Sequence, residues 1–501
     1  EETVKRQDGG DGLQRPRRRQ GTGVWQSFSP DGTIHRLDPM HRRTVSSDTT
    51  VRHRKFQTSM DCQKSVMDYQ EALDWIMSYW EPGRPKSQEK ALRPLKVPRM
   101  RVLLSRLGSP QLAFPSILVA GTKGKGSTAA FIAEGLRAAG YRVGRYTQPH
   151  LIDWRERTWV DGRIIEPDEV ARLAERIRPV VDDLNRDMVD LGTITTYEVG
   201  TALTLCYFAE RKVDVAVLEI GVGGRLDALN AVEPILSAIT SISLDHTDVL
   251  GDSLDEIATE KAGILRYRRP AVVASQRPEA EDAIRRVATE KGAHLSTVGR
   301  DWRWVEGTDA GTVDIFGPRG ELKGLRVALL GDHQRDNATT AVAALQLLRE
   351  QGFGVGDDAI RRGLAEVEWP GRIQRLRRSP YLVADAAHNV DSVSRLLETV
   401  RKEFSFVRLI LVFGASGDKN VEGMARVLGP AASRVVVTSS GHRRAADVER
   451  LAGVFAHFGE VVAEPDPEAA FEVALGLAAP EDLVLVTGSV FLAGRAVAVF
   501  Q

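Results

Sequence analysis

A glycine-rich segment at residues 121–127, Gly-Thr-Lys-Gly-Lys-Gly-Ser, has the residue types that bind phosphate groups. Its glycines let backbone N–H groups turn toward phosphate oxygens, and a helix N-terminus directly after it would add favourable potential. Lys125 can reach a terminal phosphate, and the Ser127 hydroxyl can meet Mg²⁺. The alternative is a glycine-rich turn with an exposed lysine. The predicted nucleotide-binding residues are Gly121, Thr122, Lys123, Gly124, Lys125, Gly126, Ser127 and Thr128.

This segment departs from the strict nucleotide-loop pattern at two positions. Val119 occupies the first glycine of the pattern, and Gly126 stands between the lysine and the hydroxyl residue. Its context still favours phosphate binding, because an apolar strand-like stretch, residues 117–120, precedes it and a helical stretch is predicted from Thr128.

Two further polar residues follow predicted strands. Glu219 ends a strongly apolar stretch and precedes a glycine-rich loop, and parallel sheets present functional groups at the carboxyl ends of their strands. It is therefore a candidate metal ligand, although a surface carboxylate in a turn is the alternative. The loop is not a complete dinucleotide fingerprint, because Leu226 replaces the last glycine. His246 follows the strand-like stretch 238–244, where a lone histidine is more often structural.

Several other segments accompany the phosphate loop in a characteristic order. They are Pro149-His150-Leu151, Glu219 through Asp227, Asp245-His246 through Gly251, Glu260-Lys261-Ala-Gly-Ile264, His333-Gln334 with Asn337, Trp369-Pro-Gly-Arg372, and Asp385-Ala-Ala-His-Asn389. Together they resemble the Mur ligase superfamily, and the Gly-Thr-x-Gly-Lys-Gly-Ser loop is similar to that of its folate branch, the folylpolyglutamate and dihydrofolate synthases. The resemblance covers residues 67–501. It implies a ligase that uses ATP and Mg²⁺ to join L-glutamate to a folate or dihydropteroate carboxylate through an acyl phosphate.

The resemblance also implies a set of metal ligands. Glu219 and His246 would bind Mg²⁺ together with Ser127, and Lys261 would join them as a carbamate, which turns an ammonium into a carboxylate-like ligand. Without the resemblance, Lys261 would be a solvated lysine on a predicted helix, residues 253–265. Gln148 stands where the family has serine before Pro-His. A glutamine carbonyl can also bind Mg²⁺, and Thr147 is a possible substitute.

Three residues open a predicted helix rich in alanine and leucine, and the family uses this segment around the nucleotide. They are His333, Gln334 and Asn337, for which capping and turn formation are the alternative roles. Arg372 follows a Trp-Pro-Gly hinge, from which it can swing onto ATP phosphates; a surface salt bridge is the alternative.

The resemblance assigns the incoming glutamate to the second half of the chain. Asp385 and His388 end the predicted first strand of that half, and Ser489 lies after another strand. The predicted substrate-binding residues are Asp385, His388 and Ser489, and the predicted catalytic residues are Lys125, Lys261, Asp385 and His388.

The elements that position these residues alternate between short apolar runs and longer amphipathic ones. This alternation predicts an α/β fold in which helices cover parallel strands. We expect a parallel-sheet ATPase domain with a phosphate loop at residues 67–366 and a smaller Rossmann-like α/β domain at residues 367–501. The stretch 302–330 predicts an antiparallel appendage to the first domain. Residues 1–66 show no sustained period and predict a disordered extension, with Met67 as the natural start.

Composition limits the remaining possibilities. The 501 residues contain 68 Lys and Arg and 68 Asp and Glu, so no global field favours nucleic acid or an anionic membrane. Cys62 and Cys206 are too few and too far apart in sequence for a disulfide framework. No apolar run reaches the roughly 18 residues that a membrane span needs. We expect a cytoplasmic monomer that binds neither nucleic acid nor membrane.

Three hypotheses stay open from the sequence. The first is the folate-directed ligase, with either acid or both as substrate. The second is a peptidoglycan-type Mur ligase, which the Lys-Gly-Ser loop and the lack of a recognisable extra nucleotide-sugar domain disfavour. The third is a nucleotide-binding switch, or a relative without catalysis, which the Gln148 departure keeps open.

Overall fold

Strands that are apolar on both faces form the centre of the structure, a computed structural model that describes residues 67–80 and 91–501. The predicted extension at residues 1–66, including Cys62, lies outside the described residues. The first sheet has eight strands in the order β4-β3-β2-β5-β1-β6-β7-β8. The pairs β2–β3 and β3–β4 are antiparallel, and all other neighbouring strands are parallel. Their bounds are β1 Ser116–Ala120, β2 Val143–Tyr146, β3 Thr158–Val160, β4 Arg163–Ile164, β5 Val215–Glu219, β6 Leu236–Ile239, β7 Pro270–Val273 and β8 His294–Thr297.

Helices cover both faces of this sheet. All five residues of β1 are buried, with Leu118 in the core on one face and Ile117 and Val119 in the core on the other. This double burial explains the continuous apolar run, which is typical of central parallel strands. The α-helices of this half are α1 Tyr69–Ser78, α2 Lys96–Arg106, α3 Lys125–Ala138, α4 Pro167–Asp187, α5 Thr196–Glu210, α6 Thr247–Leu250, α7 Leu254–Ala262, α8 Pro278–Lys291, α9 Asp332–Glu350 and α10 Asp357–Glu366.

The register of the three central strands determines where the site lies. Val119 of β1 pairs with Glu219 of β5, and Ala120 pairs with Ile239 of β6. The three strands therefore end side by side, and the segments that follow them emerge at one edge of the sheet. This is the edge at which parallel sheets place ligands.

A three-stranded antiparallel sheet, in the order β11-β10-β9, follows the first sheet. It comprises β9 Arg303–Glu306, β10 Thr312–Gly317 and β11 Gly320–Arg326. Its apolar face joins the core that α3 and α9 share with the first sheet. The antiparallel appendage predicted at residues 302–330 is confirmed.

The third sheet has six strands in the order β12-β13-β17-β14-β15-β16, parallel except for β12. Its strands are β12 Gln374–Arg378, β13 Tyr381–Ala384, β14 Leu409–Phe413, β15 Arg434–Val437, β16 Val461–Ala463 and β17 Leu483–Thr487. The helices that cover it are α11 Val390–Glu403, α12 Val421–Leu428, α13 Val448–Phe455, α14 Pro467–Leu477 and α15 Val490–Phe500. The α/β class and the order of the two parallel sheets are confirmed. The boundary between residues 366 and 367 stays a prediction.

Two details of the sequence-based prediction were wrong. The helix after the phosphate loop begins at Lys125, not at Thr128, because Gly124 at φ +84° turns the chain directly into the helix. Asp385 follows the second strand of the third sheet, not the first, because β12 precedes β13. The sequence of β12, Gln-Arg-Leu-Arg-Arg, lacks an apolar run because the strand lies at the sheet edge and is mostly exposed.

No helix within residues 67–80 and 91–501 combines the length and apolar character that crossing a membrane requires.

A buried ion pair joins α2 to α5. Arg99, 1% exposed, donates from Nε and Nη2 to the two carboxylate oxygens of Glu198, at 2.8 and 2.7 Å, and Glu198 is 0% exposed. Arg99 Nη1 also donates to the Leu191 carbonyl at 2.7 Å. The two buried charges therefore neutralise each other through a bidentate hydrogen-bonded ion pair.

We expect Arg99→Met to lower the free energy of unfolding by about 3 to 5 kcal/mol, because it leaves the Glu198 carboxylate buried without its cation. Urea unfolding followed by circular dichroism measures the change. Arg106→Met is the matched control, since Arg106 lies on the same helix and pairs with Asp187 at the surface. Equal losses in the free energy of unfolding for the two substitutions would show that the buried Arg99 pair contributes no more to stability than the surface pair.

Candidate active site between the two parallel sheets

A cleft of about 380 Å³ lies where residues after the first sheet's strands face residues after β13. Its walls also include the start of α9 and the start of α11. The sequence-predicted residues that line it are Thr122, Lys123, Gly124, Lys125, Gly126, Ser127, Gln148, Glu219, His246, His333, Gln334, Asn337, Arg372, Asp385 and His388.

The phosphate loop is held by the segment that follows β6. The backbone N–H groups of Thr122 and Lys123 both donate to the Ser241 carbonyl, at 2.9 and 3.2 Å. Gly121 has a φ of +147°, and a Cβ placed on it would lie 1.9 Å from Thr240 Oγ1. Position 121 therefore requires glycine on two counts, its backbone conformation and the lack of space.

Lys125 and Glu219 lie next to each other at the base of the cleft. The Lys125 ammonium is 3.9 Å from Glu219 Oε1 and 3.4 Å from the Thr122 carbonyl. Burial lowers the pKa of Lys125, although Glu219 opposes that shift, and burial raises the pKa of Glu219 against the pull of Lys125. Each group thus helps to keep the other charged in a site with little water.

Gln148 reaches Glu219 through its backbone. The Gln148 N–H donates to Glu219 Oε2 at 3.2 Å, while its side-chain Nε2 is buried without a hydrogen-bond partner among the described residues. A Cβ on Gly221 would lie 2.8 Å from that Nε2, so the amide lies against the glycine loop. Its predicted role as a metal ligand stays a prediction.

Lys261 lies below the phosphate loop on α7. It is 4% exposed, and its ammonium donates to the Gly121 carbonyl at 2.7 Å. The alternative of a solvated surface lysine is therefore wrong. Burial, followed by repulsion from Lys125, lowers the pKa of Lys261 to about 7. A substantial share of the Lys261 side chains is thus a neutral amine near pH 7.

His246 stands at the mouth of the cleft beside an ion pair. Its backbone has a φ of +52°, a left-handed conformation, and its backbone N–H donates to Asp245 Oδ1 at 3.0 Å. Asp245 Oδ2 accepts from Lys123 Nζ at 2.9 Å. Burial raises the pKa of Asp245, but the charge and hydrogen bond of Lys123 lower it further, to about 2. Strained backbone of this kind is concentrated at functional sites.

The oxygens in this part of the cleft suit a hard cation. Glu219 and Ser127 both line the cleft, and Mg²⁺ prefers oxygen ligands such as their carboxylate and hydroxyl groups. Among residues 67–80 and 91–501, no three His, Cys, Asp or Glu side chains converge on a point that could hold a metal. Any divalent ion here therefore needs other ligands, such as the hydroxyl or phosphate oxygens.

The first turns of α9 lie against the phosphate loop. Asn337 Nδ2 donates to Gln334 Oε1 at 3.0 Å, which leaves Asn337 Oδ1 facing Gly124: a Cβ on that glycine would lie 2.2 Å from the oxygen. None of these side chains caps the helix, so the capping alternative is wrong. Burial, together with Arg395 and Arg372, lowers the pKa of His333 to about 4, and the imidazole is therefore neutral.

Asp385 fixes the hinge that leads into the third sheet. Its Oδ2 accepts from the Ile373 N–H at 2.9 Å, and its Oδ1 accepts from the Ala387 N–H at 2.8 Å. Ile373 has a φ of +47°, which is unfavourable for a β-branched residue and needs support of this kind. Burial raises the pKa of Asp385, and Arg372 counteracts the shift. Both oxygens of Asp385 are therefore engaged in holding the backbone beside Arg372.

His388 presents one ring nitrogen with a lone pair. Its Nδ1 lies 2.9 Å from the Ala386 carbonyl, and because a carbonyl only accepts, Nδ1 carries the proton. Burial is the main cause that lowers the pKa of His388 to about 4, so Nε2 is unprotonated at neutral pH. The neutral imidazole therefore offers Nε2 as a hydrogen-bond acceptor.

Ser489 does not line the cleft. It is 3% exposed and its Oγ accepts from the Phe491 N–H at 3.2 Å as the N-cap of α15, while the next residue, Val490, reaches the cleft. Gly121, Thr128 and Lys261 are likewise outside the lining, although Lys261 contacts the phosphate loop. The substrate-binding role of Ser489 stays a prediction.

The structure adds charged residues that the motifs did not single out. Asp391 and Arg395 line the cleft from α11, where they form an ion pair one turn apart at 3.3 Å. Their spacing of four residues at the start of a helix was the available signal, but surface pairs have the same spacing. The partnership of Lys123 with Asp245 likewise joins residues far apart in sequence.

Two protein-family models match the chain over most of the described residues. The model of the Mur ligase middle domain matches residues 173–345, and that of the Mur ligase, glutamate ligase domain matches residues 371–490. A dihydrofolate synthase/folylpolyglutamate synthase from Bacillus subtilis is 35% identical over 429 residues, covering 84% of this chain and 97% of that protein. This chain belongs to the dihydrofolate synthase/folylpolyglutamate synthase family. The family that the motifs indicated is confirmed.

Solved structures of the family show the same fold. The Mycobacterium tuberculosis folylpolyglutamate synthase complexed with ADP superposes with a TM-score of 0.78 at 32% identity, covering 86% of this chain and 98% of that one. Escherichia coli FolC, in complex with DHPP and ADP, has a TM-score of 0.76 at 32% identity and covers 87% and 98% of the two chains.

The low pKa of Lys261 makes stability depend on pH. Between about 7 and the ordinary lysine value of about 10.4, the unfolded chain binds more protons than the folded one, so stability rises with pH across this window. We expect Lys261→Met to remove up to about 1 kcal/mol of that rise per pH unit. Urea unfolding midpoints at pH 7 and pH 9, in bicarbonate-free buffer, measure the difference.

Lys323→Met is the control, because Lys323 is exposed and its pairing with Glu321 raises its pKa only through surface contacts. It should show the same pH dependence as the parent protein. If Lys261→Met also keeps the parent's slope, Lys261 is not neutralised by burial.

Proposed function

We propose that this chain is an ATP-dependent ligase that joins L-glutamate to the carboxylate of a folate or dihydropteroate through an acyl phosphate. The observation that carries the proposal is the cleft itself, in which a phosphate loop from one sheet faces Arg372 and His388 from another. Family membership and relatives solved with ADP support it.

The first step transfers a phosphoryl group. Backbone N–H groups of the loop and the start of α3 hold the phosphates, and Lys125 neutralises charge as the terminal phosphorus leaves its ADP oxygen for the acid's carboxylate oxygen. Arg372 lines the same cleft and can add a second positive charge at the phosphates. A bound Mg²⁺, held by Ser127, Glu219 and His246 with a carbamylated Lys261 nearby, would neutralise the phosphate oxygens.

The second step forms the amide. The amine nitrogen of glutamate attacks the acyl carbon, and the bond from that carbon to the phosphate oxygen breaks, which releases inorganic phosphate. An ammonium cannot attack, so a proton must first leave the nitrogen. The low pKa of His388 makes its imidazole a weak base, so the proton passes to solvent, and the lone pair on Nε2 can accept a hydrogen bond that orients the free amine.

An acyl phosphate hydrolyses readily, so the cleft must exclude water. The loop at Leu151 contributes to this exclusion because it packs against the second half of the chain. A Cβ on Gly371 would lie 2.9 Å from Leu151 Cδ1, and one on Gly494 would lie 2.2 Å from its carbonyl oxygen. Such close approach supports a closed cleft during the reaction.

The decisive assay supplies purified protein with ATP, Mg²⁺ and L-glutamate, and offers dihydropteroate and tetrahydrofolate separately. We expect ADP release that requires both an acid and glutamate, with a product heavier by one glutamyl residue in mass spectrometry. Lys125→Ala should lower the rate at least about 100-fold with an unchanged circular dichroism spectrum.

The other two hypotheses predict different results. ADP release that is indifferent to both acid and glutamate indicates a nucleotide-driven switch. Ligation of an amino acid to a nucleotide-sugar acid, with neither pterin acid accepted, indicates a peptidoglycan-type ligase. Either result would overturn the proposed function.

We expect Gly124→Ala to weaken ADP binding at least about 10-fold, because the new Cβ would collide with Asn337 Oδ1 and displace the loop. Gly140→Ala is the control: Gly140 has a similar φ of +92°, but nothing lies within 4 Å of an added Cβ. It should lose stability and keep its affinity for ADP. Isothermal titration calorimetry measures both, and equal affinities would contradict the predicted role of the loop.

A further inference from the structure

A second cavity of about 700 Å³ adjoins the cleft. The two share Pro149, Arg372 and Val490 in their walls, so a ligand can extend from one into the other. The phosphate loop does not line this second cavity, and aromatic and charged side chains do. It therefore has space for part of a substrate that lies beyond the reacting group.

Arg145 on β2 lines this second cavity and is 7% exposed. Its guanidinium lies between two indole rings, 4.6 Å from the centre of Trp159 and 4.7 Å from that of Trp369. Trp159 is its register partner on β3, so the sheet holds one side of this arrangement in place. Trp369 belongs to the hinge and supplies the other side.

The guanidinium has no anionic partner within residues 67–80 and 91–501. Its Nε is buried without a hydrogen-bond partner among these residues, and Arg145 forms no ion pair with any of them. Burial lowers the pKa of Arg145 to about 10, against the pull of Glu134 and Glu219, so the side chain stays a cation at neutral pH. Buried charges in proteins are normally paired, and two indole faces do not satisfy the N–H groups.

The carboxylates around the cavity are engaged elsewhere or exposed. Glu134 pairs with Arg137 at 2.7 Å. Glu156 accepts from the backbone N–H groups of Leu151, Ile152 and Asp153. The remaining acids lie exposed around the rim: Glu166, Glu366 and Glu368.

We propose, on the basis of the proposed function, that Arg145 binds a carboxylate of the acid substrate that does not react. A pteroate has one carboxylate, which must go to the phosphate, whereas a pteroylglutamate has a second one a short carbon chain away. Arg145 would then make the site prefer an acid that already carries glutamate. The guanidinium supplies the fork of donors that a carboxylate requires.

The position of Trp369 supports this assignment. A Cβ on Gly126 would lie 2.8 Å from the Trp369 ring, and the Arg145 guanidinium lies 4.7 Å from the centre of the same ring. The guanidinium and the phosphate loop therefore both border the same indole. The proposal therefore requires one glutamyl residue to reach from the loop to Arg145 past this ring.

The test compares two acids that differ only in the glutamyl residue, tetrahydrofolate and tetrahydropteroate. We expect Arg145→Met, which fills the space between the rings, to lower kcat/KM for tetrahydrofolate about 10- to 100-fold, mainly through KM. The value for tetrahydropteroate should change less than about twofold. Arg145→Lys should restore part of the loss, because it keeps the charge without the planar fork.

Arg142→Met is the matched control, since Arg142 is exposed directly before the same strand. It should leave both acids unaffected. Calorimetric titration with pteroylglutamate and with pteroate, in the presence of a non-hydrolysable ATP analogue, reports binding separately from turnover. Thermal unfolding confirms that each variant is folded.

Equal losses on both acids would mean that Arg145 only supports the fold, and a raised KM for glutamate alone would assign it to the amine substrate. A parent protein that ligates tetrahydropteroate but not tetrahydrofolate would also overturn the inference while leaving the proposed function intact. A parent protein that ligates neither of these acids, nor dihydropteroate, refutes the proposed function itself.

Discussion

Close packing of the phosphate loop against three different parts of the molecule is the constraint on which the rest of the site depends. A side chain at Gly121 would collide with Thr240 after β6, one at Gly124 with Asn337 on α9, and one at Gly126 with Trp369 at the hinge. Each glycine thus removes the volume that would otherwise separate the loop from one wall of the cleft. The loop can therefore be positioned by the central sheet, by a helix and by the hinge at the same time.

The same closeness determines the electrostatics. Glu219 and Lys261 are buried around the loop, and Lys125 is half-buried. Lys125 and Glu219 oppose each other's burial shifts, and Lys125 also lowers the pKa of Lys261. A site built to receive a polyanion has to keep cations in a poorly hydrated place, which costs stability unless partners or ligands offset it. Lys125 has Glu219 and a carbonyl as partners, and Lys261 has the Gly121 carbonyl. Arg145 has only two indole rings among the described residues, and it is therefore the charge that most needs a ligand.

The hinge connects the two halves of the site through backbone interactions. Asp385 holds Ile373 in a left-handed conformation and thereby orients Arg372. A residue that the family resemblance assigned to glutamate binding thus has a visible structural task, with both oxygens occupied by N–H groups. His388, a few residues later, keeps Nε2 as an unprotonated hydrogen-bond acceptor.

The sequence by itself determined the phosphate loop, the order of the α/β elements and the family, because these depend on local residue types and on the periodicity of apolar residues. It also indicated Glu219 and His246, since residues that follow buried parallel strands meet at one edge of the sheet. It missed β12 because an edge strand needs no apolar face. Only the tertiary structure decided that Lys261 is buried beneath Gly121, that Ser489 caps a helix outside the cleft, and that Trp159 and Trp369 enclose Arg145. These are contacts between segments far apart in the chain, and the environment of a charged side chain depends on all of its neighbours, which no local pattern records.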